Sequence, residues 1–234
     1  MDLKEIVIEL ANSIAKDEYR RVVLDILNNP VLTFSNAKPL IAFENSPAAP
    51  RKHHFFSGGL LIHTISVVLT AKCIANTFKN VYGVDVDVDL VVASAILHDL
   101  FKYYQYVPDP TNGGYKPRED WYLSHDYAVV AELSRRGAPD VLIRVVSEAH
   151  GLSPFSTIEG LILHLADSVD ARFGEYIQNV LISKLKDVEK EGCSVYKALD
   201  ELVKAIGIKN LLKELQENRE NLMKRAVEIC RSQK

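Results

Sequence analysis

Apolar residues recur at helical spacing along almost the whole chain, and this restricts the fold more than any other feature. Leu3, Ile6, Val7, Leu10, Ala11 and Ile14 trace one face, and Val22, Val23, Ile26 and Leu27 continue it until Pro30 closes the pattern. Helical periodicity resumes over about 60–79, 88–102, 125–136, 140–149, 158–182, 194–206 and 209–231. The spacing predicts an all-α protein. Two stretches stand apart. Residues 28–52 carry four prolines and several Asn and Ser residues, and read as a loop over the surface. Residues 103–124 hold VPDPTNGGYKPREDWY, whose turn dipeptides and aromatics predict an irregular segment or a short hairpin.

Several of these helices carry ionisable residues on faces that must be buried. His63 lies in LLIHTISVV, His98 and Asp99 lie side by side in ASAILHDLFK, and Asp167 lies in LILHLADSVDA. Burying such groups costs free energy unless a partner charge, a hydrogen-bond network or a cation compensates. Adjacent residues project about 100° apart around a helix, so His98 and Asp99 grip one ion only if other helices complete the shell. A single divalent cation accounts for all three intrusions, because imidazole and carboxylate are its customary ligands. All seven histidines fall between His53 and His164, which marks the same region.

The order His63, His98-Asp99, Asp167 resembles the H…HD…D signature of the HD superfamily of metal-dependent phosphohydrolases. The resemblance covers roughly residues 47–175. The wording PAAPRKHHFFSGGLLIHT, AILHDLFK, LSHD, AHG and IEGLILHLADSVDA is most similar to the HD domain of YhaM-type 3′→5′ exoribonucleases. It implies an HD-domain helical bundle with an insertion after the HD helix, flanked by an N-terminal helical segment and loop (1–46) and by C-terminal helices (186–234) packed on a core of 47–185. It further implies that His63, His98, Asp99 and Asp167 hold one divalent ion (Mn, Fe, Ni, Co, Zn or Mg) and that Asp99 bridges to a second. His125 and His150 match the positions that hold that second ion.

The chain departs from those relatives at three points. Ala149-His150 stands where they carry two consecutive histidines, so the second ion loses a ligand and is expected to bind more weakly. Phe101 replaces the glycine before the family's lysine, which is retained as Lys102. The residues ahead of the HD region are helical and too few for the exoribonucleases' RNA-binding OB-fold.

Around the expected ions, Lys102 follows Asp99 by three residues and is positioned to clamp a substrate phosphate, so Asp99 and Lys102 are the catalytic candidates. His53 and His54, after Arg51-Lys52 and before Ser57-Gly58-Gly59 at a helix start, read as a phosphate cradle. Asp170 is a further substrate contact. His164 shares a face with Asp167 and reads as a supporting residue. The aromatics Tyr103, Tyr104, Tyr106, Tyr115 and Trp121 either stack on a base or pack as a lid on their own domain.

With 47% hydrophobic residues in 234 and a net charge of −3, the chain holds one large core and no bulk positive charge for nucleic acid. Cys73, Cys193 and Cys230 are odd in number and lack CxxC spacing, and read as reduced thiols buried in a cytoplasmic protein. The charged, amphipathic N-terminus is unlike a signal peptide, and no uninterrupted apolar run reaches the ~18 residues of a membrane span. The expected activity is hydrolysis of a phosphoester of a nucleotide or nucleic-acid end. The expected partner is a phosphorylated small molecule or a nucleic-acid 3′ end, with no membrane, and the C-terminal helices are available for self-association. The alternatives are a 3′→5′ exoribonuclease, a nucleotide-binding module with little turnover, and a structural protein.

Overall fold

A computed structural model describes residues 2–232. Helix α1 (Leu3–Asn12) opens on a capping box in which Asp2 caps the Lys4 amide and Glu5 answers its backbone. α2 (Asp17–Asn28) ends just before Pro30. After an irregular stretch come α3 (Gly59–Tyr82) and α4 (Val88–Leu97), whose N-cap Asp87 accepts from the Leu90 amide. α4 is the hub. From Leu90 to Leu97 every residue is buried, and the helix packs against α2, α3, α6 and α7.

A 3₁₀ turn (Leu100–Gln105) leads into strands β1 (Tyr106–Pro108) and β2 (Tyr115–Pro117), paired antiparallel with Val107 opposite Lys116. This is the expected hairpin insertion. α5 (His125–Arg135), α6 (Asp140–Glu148) and the long α7 (Ile158–Leu185) follow, then a 3₁₀ turn (Lys186–Glu191), α8 (Val195–Glu217) and α9 (Arg219–Ser232). The main core gathers α1 to α6 and the first half of α7, while a second cluster joins the end of α7 to α8, α9, Phe55 and Phe56.

Four sequence expectations need correction. The helix predicted over 88–102 stops at Leu97; Asp99 adopts φ −109°, ψ 0°, and the amide of Lys102 closes a tight turn on the Asp99 carbonyl. The helix predicted over 209–231 breaks at Asn218, whereas the kink of α8 at Gly207, where φ is +74°, falls where the predicted helices 194–206 and 209–231 part. The 28–52 segment does not stay on the surface. Ser46, Ala48 and Ala49 are buried, and the Ala48 amide donates to the His54 carbonyl at 3.0 Å, making a turn that holds the His53-His54 pair in the interior.

The cysteines also differ. Cys193 and Cys230 form a disulfide, because the α8–α9 hairpin brings positions 37 apart in sequence to a Cα separation of 5.6 Å, and Cys73 is exposed on α3. Spacing alone could not reveal a pair made by a hairpin. α3 is long and apolar enough to cross a bilayer by length and composition, yet it packs against α4 and α7 with His63 fully buried on it.

Candidate metal centre

Six side chains from five parts of the fold converge at the end of α4. α3 supplies His63, the end of α4 supplies His98 and Asp99, the first residue of α5 is His125, the turn after α6 supplies His150, and α7 supplies Asp167. His63 Nε2 lies 3.2 Å from Asp99 Oδ2 and 3.2 Å from Asp167 Oδ1, and His98 Nε2 lies 3.5 and 3.8 Å from the same two oxygens. On the other side of Asp99, Oδ1 is 3.2 Å from His125 Nε2 and 3.3 Å from His150 Nε2. The two oxygens of one carboxylate therefore face two separate donor sets.

The buried atoms His63 Nε2, His98 Nε2, Asp99 Oδ1 and His125 Nε2 make no hydrogen bond. Unpartnered buried polar atoms are rare and costly. Ligand atoms bound about 2.1 Å from one ion are themselves roughly 3–3.5 Å apart, close to the 3.2–3.8 Å between imidazole nitrogens and carboxylate oxygens here. The donors fit a divalent cation between His63, His98, Asp99 and Asp167, and a second between Asp99, His125 and His150.

The opposite edges of the rings fix their tautomers. His63 Nδ1–H donates to Asp170 Oδ2 at 2.6 Å, His98 Nδ1–H to the Ala95 carbonyl at 2.9 Å, and His150 Nδ1–H to Asp126 Oδ1 at 2.5 Å. Each bond leaves Nε2 directed at the centre, the usual arrangement for a ligating imidazole. Asp126 is a residue that sequence reasoning passed over. The repeated His-Asp wording of His125-Asp126, just after the N-cap Ser124, was the available signal.

The charges are strongly coupled. Burial acts against the charged forms of His63 and His150, but carboxylates prevail: Asp167, Asp170 and Asp99 hold His63 well above its ordinary range, and Asp126 and Asp99 raise His150 to about 10. Burial also opposes ionisation of Asp99 and Asp167. Lys102 and His98 nonetheless hold the Asp99 carboxyl well below its ordinary value, and the facing imidazoles of His63 and His98 do the same for Asp167.

Other predicted site residues lie close by, with altered surroundings. Lys102 Nζ contacts Asp99 Oδ2 in a buried ion pair, and Asp99 keeps that ammonium charged despite burial. His53 and His54 share a hydrogen between their Nδ1 atoms at 3.1 Å, and burial depresses them to about 3 and about 4. They reach the site as neutral imidazoles and add no positive charge. Two amides of the Ser57-Gly58-Gly59 turn are already engaged: Ser57 donates to Asp200 and Gly59 to the Phe56 carbonyl, and the following Leu60 donates to the Ser46 carbonyl. Gly59 is required there, since a Cβ would lie 2.0 Å from the His54 carbonyl oxygen.

Asp170 lies behind His63 rather than in the open site, 3% exposed. His164 Nδ1 donates to the Ala149 carbonyl, a supporting contact. Ala149 is fully buried, so a larger side chain there would have to displace its neighbours. The aromatics pack on their own domain: the Tyr104 ring lies 5.4 Å from Trp121, and its hydroxyl accepts from the Leu32 amide.

Fold and site together place two His/Asp donor sets that could hold divalent metal inside a helical bundle. The HD-domain profile matches residues 60–172. The chain is 35% identical over 202 residues to the dihydroneopterin 2′,3′-cyclic phosphate phosphodiesterase of Methanocaldococcus jannaschii, covering 85% of this chain and 81% of that protein. It is 33% identical over 144 residues to the 3′-5′ exoribonucleases YhaM of Bacillus velezensis and Bacillus subtilis, covering 56% of this chain and 44% of each of theirs. No solved structure matches the chain significantly. The chain belongs to the HD superfamily, and it is a metal-dependent phosphohydrolase.

Proposed function

We propose that the protein is a phosphodiesterase that opens a cyclic phosphate of a small organic molecule, using His63, His98, Asp99, Asp167, His125 and His150 to hold divalent ions. The observation that carries this reading is the Asp99 carboxylate, with its two oxygens turned toward two imidazole-bearing donor sets. An ion held there supplies a Lewis acid for the phosphoryl oxygens and lowers the pKa of water. The nitrogen-rich donors suit Mn, Fe, Co, Ni or Zn better than Mg. The set of four donors outbids the set of three, so one ion is held firmly and the other weakly.

Lys102 brings the permanent positive charge that a phosphodiester transition state needs, and Asp99 holds that ammonium at the centre. His53 offers neutral hydrogen bonding at the rim. Asp170 and Asp126 act behind His63 and His150, fixing their orientation. The extent of likeness to the cyclic-phosphate enzyme, which spans most of both chains, favours a small substrate over RNA; the likeness to YhaM is confined to under half of that protein.

Incubating the manganese-loaded protein with a nucleoside 2′,3′-cyclic phosphate and, separately, with single-stranded RNA decides the matter. Phosphorus NMR should show the cyclic ester opening to a monoester. Degradation of RNA from its 3′ end with the cyclic ester untouched would instead establish the exoribonuclease reading.

A further inference from the structure

Along α7, Asp167, Asp170, Gly174 and Gln178 follow at intervals of three and four, so they share one face, and the last three are buried. The row starts at the metal centre. It then runs past the carboxylate that orients His63 and reaches a cavity of about 140 Å³ between α3, α7 and the second half of α8. Phe56, Ile62, Phe173, Ile177, Ile208 and Leu212 supply apolar walls. His54 and Asp170 also line it, Asp170 being bonded to His63, and Gln178 is the lining residue of α7 farthest along the helix from Asp167.

Gln178 is the feature that points to a ligand. It is 3% exposed, and its Oε1 has no hydrogen-bond partner. A buried amide oxygen without a donor is costly, and that cost is removed when a ligand N–H meets it. Apolar walls with one unanswered acceptor describe a site for a flat ring that has an N–H edge. At about 140 Å³ the enclosed space takes part of a flat ring system and excludes a whole nucleotide. Phe173, one of the lining residues, is 59% exposed, so the cavity reaches the surface there.

Gly174 keeps the arrangement open. A Cβ at this position would lie 2.3 Å from His54 Cε1, so glycine allows the His54 ring to sit against α7 as the partition between cavity and metal centre. Gly174 is about 10 Å along the helix from Asp167, a separation that a sugar or short polyol between ring and phosphate can bridge.

We propose that this cavity is the specificity pocket for a nitrogen heterocycle of pterin or purine type in the substrate, with Gln178 Oε1 accepting from a ring N–H. This rests on the phosphodiesterase reading above, and binding of the ring alone separates the two. Neopterin and guanosine, neither carrying a phosphate, are titrated into the metal-loaded full-length protein by fluorescence and calorimetry.

At least one should bind. Ile208→Phe, which fills the cavity, should weaken it thirtyfold or more, and Gln178→Leu should weaken it by roughly three- to tenfold, the value of one neutral hydrogen bond. Gln178→Leu removes no volume, so it answers even if Ile208→Phe does not fold. Failure of both compounds to bind, or equal binding by wild type and both variants, overturns the pocket.

Glycerol 1,2-cyclic phosphate, which has the cyclic ester and no heterocycle, provides the second comparison. Turnover with kcat/KM far below that of a heterocyclic cyclic phosphate supports the pocket, and equal kcat/KM overturns it while the phosphodiesterase reading stands. If no cyclic ester is opened, that reading fails, while ring binding lost in the two variants would still establish the site.

Discussion

Asp126 Oδ1 accepts the Nδ1–H of His150 at 2.5 Å, and this bond aims His150 Nε2 at Asp99. Asp126→Ala should free the ring to turn. Loss of such an orienting carboxylate typically costs 10–100-fold in metal affinity. Calorimetric titration of the dialysed variant should show the weaker ion lost by about that factor and the tighter one little changed. Equal weakening of both would show that Asp126 acts on the centre as a whole.

Metal uptake should release protons. His150, raised from 6.5 to about 10, and His63, held well above 6.5, both carry a proton at pH 7 where a metal would bond. In the metal-free protein the His150 contribution to stability is complete below about 6.5 and lost as pH rises through about 10. Metal affinity runs the other way and tightens with rising pH. Calorimetry at pH 7 in buffers of different ionisation enthalpy should report about two protons released for full loading. Proton-neutral binding would contradict the assignment of these two ligands.

Glu148 clasps the loop that follows His150. Its carboxylate accepts from the Ser156 amide at 2.9 Å, the Ser156 hydroxyl at 2.5 Å and the Thr157 hydroxyl at 2.7 Å. Burial raises its pKa, but these bonds outweigh burial and hold it below its ordinary 4.5. The resulting stability is present above about 4.5 and lost as pH falls through the lowered value. Glu148→Gln should cost roughly 1.5–3 kcal/mol in urea unfolding at pH 7 and flatten the acid side of the stability profile. A wild-type profile in the variant would place the clasp elsewhere.

Lys102→Ala should leave the tighter ion in place, since Lys102 is not among its ligands. It removes the ammonium beside Asp99. Loss of one charge-assisted phosphate contact should lower kcat/KM by about 1.5–3 kcal/mol of transition-state stabilisation. Unchanged kinetics with unchanged metal content would limit Lys102 to a structural ion pair.

Ala149→His tests whether the missing histidine can be restored. Ala149 is fully buried, so an imidazole there must displace core side chains. The expected outcome is destabilisation of about 1–3 kcal/mol in urea unfolding, with no gain in affinity for the second ion. Tighter binding of that ion would show that the turn after α6 can present the new ring inward.

Helical periodicity made the bundle legible, because an amphipathic face recurs locally whatever its partner. The ionisable intrusions at His63, His98-Asp99 and Asp167 made the centre legible for the complementary reason: apolar stretches carry such groups at a cost that needs an explanation. Contacts made by non-local chain paths were not legible. Nothing near Ser57 announces that Asp200 takes its amide. Nothing near His53 and His54 shows that the preceding turn buries them and leaves them uncharged. The Gly174–His54 fit is visible only once α7 lies against that turn.

The proposed ligands come from five parts of the chain spread between His63 and Asp167, so an ion held by them would belong to the folded topology and to no local segment. An ion that binds only the native state adds stability as its free concentration rises, about 4 kcal/mol at a thousandfold excess over Kd. Melting temperature therefore becomes a gauge of metal supply, and a cell short of the ion would lose this enzyme by unfolding and proteolysis as well as by inactivity.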